Sequence, residues 1–137
     1  MAYNKPLPRP TPETQEFWDG LRRHELRIQQ CRDCRRHYFY PRPFCPRCHS
    51  QNVEWTTVSG RGTLETFVIN HRPMRGFEDE TPYVIAVVTL DEGPRMMTNL
   101  INVEPDPEHV QTDMAVEIVY DDVTDEVTLA KFQPVVG

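Results

Sequence analysis

Residues 31–48 read Cys31-Arg32-Asp33-Cys34-Arg35-Arg36-His37-Tyr38-Phe39-Tyr40-Pro41-Arg42-Pro43-Phe44-Cys45-Pro46-Arg47-Cys48. Two Cys-x-x-Cys pairs stand ten residues apart. Each pair closes a tight turn that aims two sulfurs at one point. Two such turns supply four thiolates for a tetrahedral ion, with metal–sulfur bonds of about 2.3 Å. Pro46 favours the second turn. Protein fills all four ligand positions and leaves none for an activated water, so the metal is expected to be structural, not catalytic.

Zinc suits this donor set. Iron is the alternative, since the same four-thiolate geometry holds iron in rubredoxin-like sites. Arg32, Arg35, Arg36, Arg42 and Arg47 surround the cysteines and can offset their negative charge. His37 and His49 are nearby but not needed as ligands, and read as loop residues. With the four cysteines in two close pairs and no secretory signal at the start, metal binding is expected over a disulfide framework. The chain reads as cytoplasmic.

Downstream of the cysteines the pattern is β. Val53, Trp55 and Thr57 alternate with Glu54, Thr56 and Val58. Gly60-Arg61-Gly62 interrupts the run, which resumes to about Asn70, so a bulge or sharp bend is expected at the glycines. Residues 83–90 are a nearly continuous apolar run and predict a buried central strand. A turn at 91–94, a strand over 95–103, a polar loop over 104–113, a strand over 114–120 and a last strand over 127–132 follow. Met114, Val116, Ile118 and Tyr120 share one face of the fourth of these strands. Five strands, the first long and bent, predict an OB-fold barrel. The helix that often joins its third and fourth strands has no room here.

Upstream, residues 1–10 read as a Pro-rich arm. Thr11 as N-cap and Pro12 at the first position predict a helix start, with Glu13 and Glu16 at its positive end. Phe17, Trp18 and Leu21 form an apolar stripe on this helix. The stripe either packs on its own domain or docks on a partner. Leu26 and Ile28 then predict a short strand running into Cys31. The expected organisation is an arm and helix over 1–30, a zinc ribbon over 31–52 and the barrel over 53–137.

The 137 residues carry a net charge of −6 that is unevenly spread. Residues 1–62 hold 11 Lys/Arg against 6 Asp/Glu, and residues 63–137 hold 4 against 15. The front half could hold a few phosphates, whereas the acidic back half repels a nucleic-acid backbone. No run approaches the roughly 18 apolar residues of a membrane span. No G-x-S-x-G, P-loop or H-E-x-x-H is present. His71 could serve as a general base but stands without a nucleophile at a telling spacing. Asp121, Asp122, Asp125 and Glu126 match no EF-hand and read as an acidic hairpin tip. No complete catalytic constellation emerges, which favours an accessory or binding role.

Read in order, several motifs are familiar. They are Phe17-Trp18, the run from Leu26 to Cys31, Cys45-Pro46-Arg47-Cys48, Ser59-Gly60-Arg61-Gly62-Thr63, Pro82-Tyr83-Val84, Leu90-Asp91-Glu92-Gly93-Pro94-Arg95 and Phe132-Gln133-Pro134. In this order the chain resembles the family called domain of unknown function 35, from about Pro12 to Pro134. Members often have Gly-Met-x-Val before the fourth barrel strand, where this chain has Asp113-Met114-Ala115-Val116. The resemblance implies an N-terminal helical segment, a rubredoxin-like zinc ribbon and a C-terminal OB-fold.

It also implies association with thiolase-fold enzymes that act on acyl-CoA thioesters. Such roles include joining a thiolase to a hydroxymethylglutaryl-CoA synthase and assisting acyl transferases. Another branch pairs with lipid-transfer-protein-like aldolases of steroid side-chain breakdown. The implied role is a non-catalytic subunit of a hetero-oligomer whose partner carries the chemistry. Arg61, Arg72 and Arg75 are then candidates for coenzyme A phosphates. Phe17, Trp18, Leu21 and the ribbon are candidates for the partner interface. A nucleic-acid-binding zinc-ribbon and OB-fold pair is the competing reading, and an independent enzyme using His71 is a third.

Overall fold

The computed structural model describes residues 7–72 and 81–135. One helix, α1 (Gln15–Arg22), precedes eight strands: β1 (Leu26–Cys31), β2 (His37–Tyr38), β3 (Val53–Val58), β4 (Arg61–Asn70), β5 (Tyr83–Leu90), β6 (Arg95–Leu100), β7 (Ala115–Asp122) and β8 (Thr128–Pro134). They form two β layers. A three-stranded antiparallel sheet has the order β2-β1-β3, and a closed five-stranded barrel has the order β4-β5-β6-β8-β7. The barrel is the mainly β, OB-type architecture that the strand pattern predicted. Among the described residues no helix is long and apolar enough to cross a membrane.

The long bent strand expected from Val53 to Asn70 is two strands in different sheets. Val53–Val58 pairs with β1 along its whole length, from Cys31↔Val53 to Leu26↔Val58. The chain crosses from one sheet to the other at Ser59 and Gly60. Gly60 takes φ +76°, in the left-handed region that costs an L-residue about 1–2 kcal/mol. The bulge lies further on, where the register with β5 slips between Leu64 and Thr66.

The helix also starts later than Thr11 and Pro12 suggested. Thr14 is the N-cap, and its hydroxyl turns back to Thr11 instead of capping the helix. Thr11 accepts the Thr14 N–H through its carbonyl at 3.0 Å and closes the preceding turn. At the other end His24 takes φ +60°, and its ring stacks on Tyr120 at 4.9 Å. Its Nε2 meets Asp122 at 2.9 Å, tying the helix exit to the β7–β8 hairpin. The Thr128 hydroxyl and then His24 hold the Asp122 carboxyl below its ordinary value.

One apolar core runs through helix, ribbon sheet and barrel. Phe17 and Leu21 of α1, Leu26 and Ile28 of β1, and Leu64, Val88, Leu90, Val116 and Phe132 of the barrel are all part of it. Val110, in the segment read as a polar loop, is 1% exposed and joins this core. Asp106 pins the turn before it by accepting the N–H groups of Glu108 and His109. A single valine thus fills space where a connecting helix was not expected. Asp113, standing where family members often have glycine, takes φ +69° and donates its N–H to the Leu64 carbonyl at 2.7 Å. Aspartate tolerates that conformation better than most residues, so the turn survives the change.

Burial assigns two of the three residues of the helix stripe. Leu21 is 0% and Phe17 3% exposed, so both belong to the chain's own core and are covered before any partner arrives. The reason is geometric: α1 lies across β1 and β8, and the Phe17 ring packs against Phe39 at 5.2 Å. Leu21→Ala should therefore destabilise the isolated chain by about 2–5 kcal/mol, the range for emptying a packed leucine site. The check is urea unfolding of the free protein. A midpoint unchanged from wild type would return Leu21 to the surface.

Candidate metal centre

Each cysteine pair sits in a knuckle built by backbone hydrogen bonds. In the first, the Cys34 N–H points at Cys31 Sγ at 3.5 Å, and the Cys31 N–H donates to the Arg36 carbonyl at 3.0 Å. In the second, the Arg47 N–H points at Cys45 Sγ at 3.4 Å, and the Cys45 N–H donates to the Ser50 carbonyl at 2.8 Å. The residue after each second cysteine, Arg35 and His49, takes φ +64° in both knuckles. The two turns are therefore copies of one another, facing across the site.

The knuckles bring the sulfurs together. Cys31 and Cys48 Sγ lie 3.5 Å apart, Cys34 and Cys45 Sγ 3.7 Å apart, and all four are within 4.8 Å of one another. A tetrahedron with bonds of about 2.3 Å has S···S edges of about 3.8 Å, so the spacing suits one zinc ion. Among the described residues this is the one group of three or more His, Cys, Asp or Glu that could hold a metal. His37 and His49 are not members. His37 pairs in β2 with Gln30, and the His49 ring stacks on Phe44 at 6.3 Å.

The protonation pattern also calls for a cation. The Cys48 N–H, then that of Arg47, hold the Cys45 thiol down to about 6 despite burial. The Cys34 N–H lowers Cys31. At Cys48 the Ser50 N–H pulls down, but the Cys31 sulfur, partial loss of solvent around the sulfur and the sulfurs of Cys45 and Cys34 outweigh it and push the thiol up. Four thiolates crowded together cannot all ionise alone, and a divalent ion resolves the conflict.

A supporting layer holds the knuckles in register. Asp33, inside the first knuckle, accepts the Ser50 hydroxyl beside the second, and also Asn52 Nδ2 at 3.3 Å. Those donors, Ser50 first, hold the Asp33 carboxyl below its usual range. Buried Gln29 accepts the Arg42 N–H at 2.7 Å, and the Tyr38 hydroxyl donates to the Arg42 carbonyl at 2.9 Å. Burial, then the Cys45 and Cys31 thiolates, push the Tyr38 hydroxyl up to about 12, which keeps it a donor. Asp33 was missed in the sequence, although a carboxylate inside a Cys-x-x-Cys with a Ser beyond the partner pair is a readable signal. Of the five arginines, Arg32 is engaged with Glu54 at 3.1 Å.

The remaining candidates do not converge. Arg61 and Arg72 are both exposed, but Arg61 starts β4 and Arg72 lies two residues past its end. At about 3.3 Å per strand residue they stand at opposite ends of the barrel. Arg75 lies outside the described residues. His71 is exposed just beyond β4. Asp121 and Asp122 close β7, Asp121 paired with Lys131 and Asp122 with His24, so of the four acidic residues only Asp125 and Glu126 lie at the hairpin tip.

Trp18, the third member of the helix stripe, is half-buried on the wall of a groove of about 370 Å³. Its indole N–H is shielded from water and meets no acceptor among the described residues.

Comparison with known proteins places this architecture. Residues 18–54 match the ChsH2 rubredoxin-like zinc ribbon domain, and residues 55–121 match the ChsH2 C-terminal OB-fold domain. A probable enoyl-CoA hydratase alpha subunit of Thermomonospora curvata is 36% identical over 124 residues, covering 88% of this chain. The chain spans only 37% of that relative's length. A DUF35 domain-containing scaffold protein of Methanothermobacter thermautotrophicus is 30% identical over 116 residues, covering 83% of this chain and 86% of the relative. Among solved structures, the Ltp2-ChsH2(DUF35) aldolase superposes with a TM-score of 0.82 at 30% identity, covering 93% of this chain and 98% of the matched one. With its ribbon and barrel both matched and a scaffold relative aligned over most of its length, the chain belongs to the DUF35 family.

Proposed function

We propose that this chain is a non-catalytic accessory subunit that binds and stabilises a thiolase-fold partner acting on acyl-CoA thioesters. The observation that carries the reading is the closed four-sulfur site, in a fold that superposes on the ChsH2 part of an aldolase at 0.82. A site with four protein sulfurs holds its ion as a structural clasp, without an open position for substrate or water. Zinc is the proposed ion. The chemistry then lies in the partner: aldol cleavage, as in steroid side-chain degradation, or acyl transfer and condensation. A reducing, cytoplasmic setting accords with the four unpaired cysteines.

Arg61 and Arg72 are each free to meet a coenzyme A phosphate, but not the same one. The acidic barrel half weighs against a nucleic-acid backbone as ligand.

The test is co-purification from the native source with this chain as bait. Stoichiometric recovery of a thiolase-fold protein, with gain of its solubility or activity, is the expected result. A chain that comes through alone, zinc-loaded and monomeric, overturns the proposal.

A further inference from the structure

The barrel is closed unevenly. β6 pairs with β5 from Arg95↔Thr89 to Leu100↔Val84, but it meets β8 only at Leu100↔Phe132. There the Ile101 N–H donates to the Phe132 carbonyl at 2.8 Å. Backbone groups alternate sides along a strand, so the odd-numbered residues of β6 direct theirs away from β5. Before Leu100 no backbone pairing joins β6 to β8, and a side chain takes over, the Thr98 hydroxyl donating to the Ala130 carbonyl at 2.9 Å. Met97 is left with its backbone N–H and C=O on an open edge and its side chain 74% exposed.

The groove of about 370 Å³ lies along this edge, walled by Trp18, Phe39, Tyr40, Met97 and Leu129. Its ionic groups are already engaged. Lys131 pairs with Asp121 at 2.5 Å, and Arg95, at the start of β6, with Glu65 at 3.2 Å. Edge strands are normally blunted by lysine, proline, a bulge or a covering element. β6 reads Arg-Met-Met-Thr-Asn-Leu, with an unbroken register and no proline. An acyl chain would answer the apolar wall but not the Met97 amide. An extended polypeptide answers both. A second copy of this chain would bring its own acidic barrel, with 15 acidic against 4 basic residues over 63–137, to the same edge. That charge favours a partner segment flanked by basic residues.

We infer that the β6 edge and its groove take up an extended apolar segment of the partner subunit, flanked by basic residues, as an added strand. The inference rests on the accessory-subunit reading and names where that partner docks. The segment pairs its backbone with Met97 and seats a side chain between Trp18, Tyr40 and Met97.

The experiment compares amide hydrogen exchange of this chain alone with that of its complex with the thiolase-like protein recovered by co-purification. The Met97 amide should exchange at least tenfold more slowly in the complex. Met97→Asp, which places a charge at an exposed position, should weaken the complex at least tenfold with the free chain's melting temperature unchanged. Met97→Pro, which removes the outward N–H together with the methionine side chain, should weaken it as well. A complex that forms with Met97 unprotected and tolerates Met97→Asp overturns this inference and leaves the accessory-subunit reading standing. Concentration-dependent protection of Met97 in the chain alone assigns the edge to a second copy and also overturns it. Failure to recover any complex overturns both.

Discussion

Removing the metal, by chelation or by Cys45→Ser, is expected to melt the segment between Cys31 and Asn52 first. That segment has little else to hold it: Cys31, Tyr38, Pro41 and Cys45 are its only buried residues. Binding a structural zinc ion releases about 10–16 kcal/mol, which equals or exceeds the whole stability of an ordinary domain at about 5–15 kcal/mol. Cys45 is buried at the centre of the cluster, whereas Cys48 is exposed, so Cys45 is the more telling site. Metal analysis should find one zinc per chain in wild type and none in Cys45→Ser. Amide exchange should show loss of protection in β2 and the knuckles, spreading to β1 and β3, with the barrel strands holding longest. A Cys45→Ser protein that keeps a full complement of zinc and its ribbon protection would refute the clasp. A red, iron-loaded protein would keep the clasp and change the ion.

Gly62→Ala should cost about 3 kcal/mol, at the upper end of what overpacking takes from a core. Gly62 lies between two neighbours, opposite Leu90 of β5 and Val116 of β7. A Cβ built there would lie 2.3 Å from the Thr89 carbonyl oxygen and 3.0 Å from its carbon. Those are backbone atoms of a central strand, so relief requires β4 and β5 to move apart. Gly60→Ala meets the branch methyl of Ile118, a side chain and not a strand backbone, and adds backbone strain at φ +76°. Gly93→Ala meets nothing within 4 Å and adds strain alone. The expected order of destabilisation is Gly62, then Gly60, then Gly93, read from thermal melts of the three variants. Gly62→Ala melting with the wild type would mean the strands do not approach as described.

The parts of this protein written in local pattern were legible. Cysteine spacing is local, and it identified the metal cluster and its closed, four-sulfur character. Period-two alternation and the continuous apolar run at 83–90 are local too, and together they found the barrel strands within a few residues. What pairs with what is not local. Nothing in Val53–Val58 says that it returns to β1 rather than continuing into the barrel, because both destinations reward the same alternation. Phe17 and Leu21 form a stripe whichever surface covers it, and only the path of α1 across β1 and β8 decides. Val110 was hidden in a polar segment because one valine has no period. Asp33 was passed over because the charges expected to matter beside four thiolates were the arginines, not another anion.

Phe17 and Phe132 share a core although 115 residues separate them. That distance is also a delay. A ribosome adds roughly 5–20 residues per second, so α1 waits on the order of ten seconds before β8 exists to cover its stripe. The four cysteines, their knuckle hydrogen bonds and the β1–β3 pairing all lie before Ser59, so the metal module can close long before. During that interval the nascent chain carries a finished clasp beside uncovered aromatic rings. The supply of zinc then governs how ordered the waiting intermediate is, and the yield of folded protein in a zinc-starved cell depends on it.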